Sequence, residues 1–190
     1  MKISTQRFTL RDWALDDVES LVRHANNPRI AAMMRDAFPS PYTREDAQRF
    51  VSMATGPTTN LFLAIDIKGE AIGGIGIHPL DDIKRKSAEI GYWISESLWG
   101  KGIVTDAVGL LIPVAFTRYD VVRLQAGIFS NNPASMRVLE KCGFTREGVF
   151  IKLKGRKIMQ ILPNKVRKKN KKTGDTTPDD PSVKKKLSLA

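Results

Sequence analysis

A single cysteine, Cys142, among 190 residues excludes an internal disulfide. Only two histidines, His24 and His78, are present, so a metal site would need mostly other ligands, and none is expected. The longest near-apolar run, Ala107 to Phe116, falls well short of the roughly 20 residues needed to span a bilayer. No apolar segment of the signal-peptide kind follows Met1. These absences point to a cytoplasmic chain with no membrane association, held together by its core alone. The apolar share of 42% is ordinary for such a core, and the length suits one domain followed by a tail.

What the chain has in excess is positive charge, a net +11. Its location matters more than its size. Of the 31 basic and 20 acidic residues, 13 and 3 fall in residues 152–190, which leaves a nearly balanced 18 and 17 for the first 151. The body is neutral and the basicity belongs to the end. A tail such as "VRKKNKKTGDTTPDDPSVKKK" has no aromatic side chains to stack on bases and few apolar ones to bury. It reads as disordered and solubilising, with weak phosphate contacts to nucleic acid as the other reading. The division expected is a folded domain over 1–162 and a tail over 163–190.

Periodicity then orders the body. "FTLRDW" alternates like an opening strand. Val18, Leu21, Val22 and Ala25 give a helix that stops before "NNP", with Asp16 and Glu19 as its cap pair. A short helical piece is expected over Arg29 to Met34. Thr43 and Asp46 open a further helix carrying Ala47, Phe50, Val51 and Ala54 on one face. Leu61 to Ile67 and Ala71 to His78 read as a hairpin turning at "KG". Ala88 to Ser95 is a strand, and Val104, Ala107, Val108, Leu111, Val114 and Ala115 stripe a helix that Pro113 should kink. Arg123 to Phe129 is a strand. Asn132 and Pro133 open a helix that stops at Gly143. Val149 to Leu153 and Ile158 to Leu162 close the order. Such a sequence of elements predicts a mixed α/β (α+β) layer around one sheet.

Between the strand ending near Ser95 and the next helix lies "GKGIVT", Gly100 to Thr105. A strand, a glycine turn and a helix mouth present main-chain N–H groups that lack internal acceptors, at the positive end of the helix dipole. Gly100 and Gly102 let an anion approach bare backbone, and Lys101 adds a charge. The spacing is not that of a Walker loop or of a dinucleotide fingerprint. From these residues alone the segment is either a diphosphate cradle or a tight turn.

The longer stretch "EIGYWISESLWGKGIVTDA" resembles the acetyl-CoA-binding signature of the GNAT N-acetyltransferase superfamily. "NNPASMRVLEKCGF" resembles that family's Asn-x-x-Ser helix and its following corner. The two stand in the family's order, about thirty residues apart, and the resemblance spans residues 5 to 151. It is nearest to the subgroup of ribosomal-protein alanine and serine N-acetyltransferases. The resemblance implies a GNAT-like, mostly antiparallel sheet whose middle strands splay, with helices on both faces. It implies acetyl-CoA as co-substrate, its arm pairing with the strand that ends at Ile94 and its diphosphate on the amides of Gly100, Lys101, Gly102, Ile103, Val104 and Thr105. Asn132 would hydrogen-bond that arm, a role compatible with capping its helix. One position departs: where the family often carries Gln or Arg, three residues before the first glycine, this chain has Ser97. The ending departs too. Only Ile158 to Leu162 precede Pro163, so either the last strand is short or the usual C-terminal sequence has been replaced.

Acetyl transfer requires a neutral amine. At pH 7 a lysine amine is under about one part in a thousand neutral, and an α-amine about a tenth. A base therefore helps, and the departing thiolate needs a proton. The resemblance makes Glu89, on an otherwise apolar strand, the base. A solvated strand end or an ion pair with Arg123 are its other readings. Ser135 is the proton donor the resemblance implies, because Leu139 stands where many relatives carry a tyrosine. A serine bonded back to its own helix is the other reading. Tyr92 and Tyr119 are reserves, and Cys142 reads as a small core residue. Acceptor specificity is expected from the first helices and from the loops "MMRDAFPSPYT" and "HPLDDIKRK". The function implied is acetyl transfer to a primary amine, on a protein N-terminus (a ribosomal protein among the candidates) or on a small molecule, by a monomer or homodimer. The alternative is an idle fold that binds RNA or ribosomes through its tail.

Overall fold

The computed structural model describes residues 1–153 and 156–163, with side-chain environments for residues 1–148. Apart from Pro163, the basic segment expected over 163–190 lies outside the described residues, as do residues 154–155. A strand not expected from the sequence, β1 (Lys2–Ser4), precedes β2 (Thr9–Asp12). Helices α1 (Val18–Ala25), α2 (Pro28–Ala31) and α3 (Arg44–Thr55) follow. Next come β3 (Leu61–Ile67), β4 (Glu70–Pro79), β5 (Ser87–Ile94), α4 (Ile103–Arg118), β6 (Arg123–Phe129) and α5 (Pro133–Lys141). The hairpin of β7 (Phe144–Leu153) and β8 (Arg156–Pro163) completes one eight-stranded sheet in the order β1-β2-β3-β4-β5-β6-β8-β7. The fold is the mixed α/β one expected. Among the described residues no helix is long and apolar enough to cross a membrane.

Local chemistry explains most boundaries. Thr43 and Asp46 form a reciprocal capping box, Asp46 N–H donating to Thr43 Oγ1 at 3.2 Å and Thr43 N–H to Asp46 Oδ2 at 2.9 Å. The cap pair expected at Asp16 and Glu19 is not used. Asp17 instead accepts the Ala14 N–H at 2.8 Å and both Nη atoms of Arg11 at 2.7 Å. Arg11 also reaches Asp66 on β3, so one guanidinium fastens the start of α1 to the sheet. The short helix expected over Arg29–Met34 begins one residue earlier and ends at Ala31, with the Asn27 side chain capping it. Lys68 and Gly69 both have positive φ, 56° and 87°, the pairing that lets a two-residue turn follow the twist of β3 and β4. α4 continues through Pro113 to Arg118.

Alternation along the strands divides the core between the two faces. Leu61, Leu63, Ile65, Ile75, Ile77, Ala88, Ile90 and Ile94 pack beneath α4 and α5 with Val104, Ala107, Val108, Leu111 and Leu139. Phe62, Ala64, Ala71 and Trp93 face α1 and α3 with Trp13, Leu21, Tyr42 and Val51. Helices thus cover both faces, as expected.

The feature that positions the site is the seam between β5 and β6. They form the parallel pair of an otherwise antiparallel sheet, and they are in register only over Ser87–Glu89 and Arg123–Gln125. β5 then runs on to Ile94 beside β4, while β6 turns to β8 from Ala126 onward. The middle strands diverge towards their C-terminal ends, where β5 delivers the chain to the glycine turn.

Candidate active site

Gly100 and Gly102 lie in the left-handed region, at φ 73° and 76°. A Cβ at Gly100 would meet nothing within 4 Å, so conformation rather than space demands glycine there. Gly102 is the N-cap of α4 and has no side chain to accept the first-turn N–H groups. Those amides, of Ile103, Val104 and Thr105, head a helix of 16 residues. Main-chain N–H groups at such a helix mouth are of the kind that binds anions.

The edge of β5 can be read from its parity. The Ser95 N–H donates to Ile72 O of β4, and the Val122 N–H donates to Lys86 O from the opposite side. Main-chain groups therefore alternate, and those of Ile90, Tyr92 and Ile94 turn towards β6, where pairing has ended. The Ile94 carbonyl is taken by the Trp99 indole Nε1–H at 3.0 Å. The remaining groups form a short free edge of the kind an extended arm can join.

The catalytic candidates flank this gap from opposite faces. Glu89 is the last residue of β5 paired with β6, and its side chain is 17% exposed on the α1–α3 face. Its partner is Arg35, not Arg123, which pairs with Glu147 instead. His78 stands opposite Glu89 in register on β4; burial first, and then Arg35, holds its imidazole pKa below the usual value. Gly91, two residues on from Glu89, would place a Cβ in open space, so the slot beyond Glu89 is clear.

On the α4–α5 face, Ser135 Oγ lies 2.8 Å from the Tyr92 phenol oxygen, which is also 3.3 Å from the Ser135 carbonyl. The serine is thus held by the opposite strand rather than turned back on its own helix. Burial raises the Tyr92 phenol well above its ordinary pKa, against the lowering effect of the Ser135 hydrogen bond, and keeps it a neutral donor. Asn132 caps α5 through the Ser135 N–H at 3.0 Å. Tyr119 drops out as a reserve: it lies at the far end of α4, bonded to Thr59 O at 3.0 Å. The Cys142 thiol is pushed up by burial and rests 3.4 Å from Thr105 O, which fits the core role read for it.

Sequence reasoning missed the residues that hold the cradle in place. Arg7 donates through Nη1 to Asp106 Oδ2 at 2.9 Å and through Nη2 to Lys101 O. Because a peptide unit is planar and trans, anchoring the Lys101 carbonyl on one side fixes the Gly102 N–H to point the other way. Arg7 also offsets the Asp106 carboxylate, which would otherwise oppose an anion at the first turn of α4. From the other side, His24 joins Ser95 through Nδ1 at 3.1 Å and Glu70 through Nε2 at 3.0 Å, and Ser95 Oγ lies 3.2 Å from Ser97 Oγ. Asn27 Nδ2 donates to Glu96 Oε2 at 2.7 Å, Arg29 pairs with Glu96, and the Arg29 guanidinium lies 5.3 Å from the Trp99 ring centroid. Ser97, the departure from the family pattern, is therefore engaged on the α1 side. No local motif marks Arg7; its contacts cross more than ninety positions.

Among the described residues, two hollows involve α1 or the loop that follows α2. One of about 60 Å³ opens beside the seam and is lined by Met33, Arg35, Gly127, Ile128 and Phe129. A broader depression of about 600 Å³ involves Arg11, Asp17, Arg23 and Glu70 but no residue of β5, β6, α4 or α5. Of the carboxylates that line it, Asp17 is held by Arg11 and Glu70 by Arg23 and His24.

A splayed parallel pair, a glycine-led helix mouth and facing polar groups define an acetyl-CoA-dependent N-acyltransferase. Residues 7–145 match the acetyltransferase (GNAT) domain family, and the chain belongs to it. The uncharacterized N-acetyltransferase p20 of Bacillus licheniformis is 30% identical over 163 residues, 81% of this chain and 89% of that protein. The solved structure of the microcin C7 self-immunity acetyltransferase MccE with acetyl-CoA and AMP superposes with a TM-score of 0.70 at 27% identity, covering 83% of this chain and 92% of that one. RimL, described as a ribosomal L7/L12 α-N-protein acetyltransferase and solved with coenzyme A, shares the fold at a TM-score of 0.71 and 22% identity, over 85% and 97% of the two chains.

Proposed function

We propose that this enzyme moves an acetyl group from acetyl-CoA to a primary amine, a protein α-amine or a small-molecule amine, by direct attack in a ternary complex in the cytoplasm. The observation that carries the reading is the divergence of β5 from β6 immediately before the glycine-led mouth of α4. Acetyl-CoA supplies the acetyl group as an activated thioester. The amides from Gly100 to Thr105, with Lys101, receive its diphosphate, and Ile94, Tyr92 and Ile90 present main-chain groups to its arm. The spare amide of Asn132, beyond its capping oxygen, adds a contact at the mouth of α5.

The amine enters from the α1–α3 face, where Glu89 accepts its proton. As the nitrogen bonds to the acetyl carbon, the carbon–sulfur bond breaks, and Ser135 gives a proton to the sulfur from the α5 face. Tyr92 holds the serine in place. Main-chain N–H groups on the free edge of β5 are the donors for charge that builds on the acetyl oxygen.

Calorimetric titration with acetyl-CoA, with ATP as comparison, tests the first half of this reading. Binding of acetyl-CoA but not ATP supports it; equal affinity or no binding by folded protein sinks it. Glu89→Gln tests the second half: turnover should fall about 100-fold with acetyl-CoA affinity retained. Full activity of that variant across pH 6 to 9 would remove Glu89 as the base.

A further inference from the structure

The residue that occupies Glu89 is itself informative. Arg35 lies in the irregular stretch between α2 and α3, its side chain 71% exposed, and it pairs with a carboxylate that is only 17% exposed. An amine that is to lose its proton to Glu89 must take over part of this ion pair. The guanidinium it displaces then lacks a partner at the mouth of the active site. Among the described residues lining the hollow of about 60 Å³ beside the seam, Arg35 is the one that is charged, in company with Met33, Gly127, Ile128 and Phe129. That volume is about that of two waters, enough for a carboxylate and the carbon bearing it. The other described lining residues are apolar or glycine, so among them Arg35 is the group that would receive an anion there.

From this pair we infer that the acceptor is a primary amine carrying an acid on the neighbouring carbon, an α-amino acid or a close analogue, bound by exchange of ion pairs. Its amine goes to Glu89 and its carboxylate to Arg35, which replaces one buried-edge pair by two. A planar, five-donor guanidinium suits a carboxylate better than an ammonium would. A protein N-terminus presents a neutral amide where such a molecule presents its acid, and would give Arg35 no ion pair in exchange for the one it loses. The inference rests on the acetyltransferase reading and on Glu89 as the base.

The test is a matched panel of free L-amino acids and their primary amides, with full-length protein and acetyl-CoA, followed by thiol release. The comparison is conservative, because an acid neighbour raises the amine pKa and leaves less free base than in the amide. We expect kcat/KM for the acids to exceed that for the amides at least tenfold. Arg35→Gln should bring the ratio close to one while the affinity for acetyl-CoA, measured separately, stays that of the wild type. Arg35→Lys should restore part of the preference. Equal use of acids and amides by the wild type, a ratio unmoved by Arg35→Gln, or acetylation of neither by protein that binds acetyl-CoA each overturns the inference alone. Failure of the wild type to bind acetyl-CoA overturns the acetyltransferase reading, and the inference with it.

Discussion

The phenol oxygen of Tyr92 and Oγ of Ser135, 2.8 Å apart, join the two arms of the seam: one residue is on β5, the other on the helix that follows β6. If the pair acts as a unit, its two members should not contribute independently. Ser135→Ala should lower kcat about 100-fold and Tyr92→Phe about tenfold, and the double variant should be no worse than Ser135→Ala. Additive losses in steady-state kinetics would mean that the tyrosine acts elsewhere. Acetyl-CoA affinity should change little in any of the three.

Glycines on and beside α4 should respond to the same substitution in opposite directions. Gly100→Ala forces a Cβ into a left-handed conformation, at a cost of about 1–2 kcal/mol, and should also weaken acetyl-CoA binding. Gly109→Ala adds a methyl in open space within the helix and should stabilise by about 0.5–1 kcal/mol. Thermal melts of the two variants, with and without acetyl-CoA, separate the backbone effect from the binding effect.

Arg7 should matter for the co-substrate without touching the reacting atoms. Arg7→Gln is expected to raise the Kd for acetyl-CoA about tenfold, with kcat at saturation nearly unchanged. Part of this loss should come from the Asp106 carboxylate left uncompensated, so adding Asp106→Asn should recover some affinity. A double variant no better than Arg7→Gln would show that the anchored Lys101 carbonyl carries the whole effect.

The depressed pKa of His78 makes stability depend on pH in a definite sense. In the unfolded chain the imidazole takes its proton below about pH 6.5, while in the folded protein burial and Arg35 delay this to lower pH. Between the folded and unfolded values the unfolded state binds more protons, so stability falls as pH drops through that window and is fully present above it. Denaturant titrations at pH 7.5 and 5.5 should show this loss, and His78→Gln should reduce it. A variant with the wild-type pH dependence would assign the loss to other groups.

Much of this architecture was legible in the chain. β3 and β6 have the limits that alternation predicts, and the Thr43–Asp46 box and the Asn132 cap form as spacing requires. What spacing could not reveal was long-range partnership. β1 is three residues long and exists because it pairs with β2. β7 begins at Phe144, five residues before the expected start, because β8 gives it a partner. At the site, local spacing singled out the glycines and the family resemblance singled out Glu89 and Ser135 as candidates, but neither pointed to Arg35, Arg7 or His24. An exposed arginine in a loop has no periodicity, and only the closed fold decides which carboxylate it meets.

The segment from Ser95 to Asp106 is fastened on both sides, by His24, Asn27 and Arg29 from the first helices and by Arg7 from the approach to β2. Ordering such a stretch from a free chain would cost about 1–2 kcal/mol per residue in backbone entropy. Here that cost falls on folding and not on association. A ligand arriving at the glycine turn meets donors already oriented, so more of its contact energy appears as affinity and little rearrangement slows its capture. The fastenings on one side come from the helices over which the proposed route brings the acceptor, so on that reading the rigidity of the donor site is inherited from the acceptor side of the same molecule.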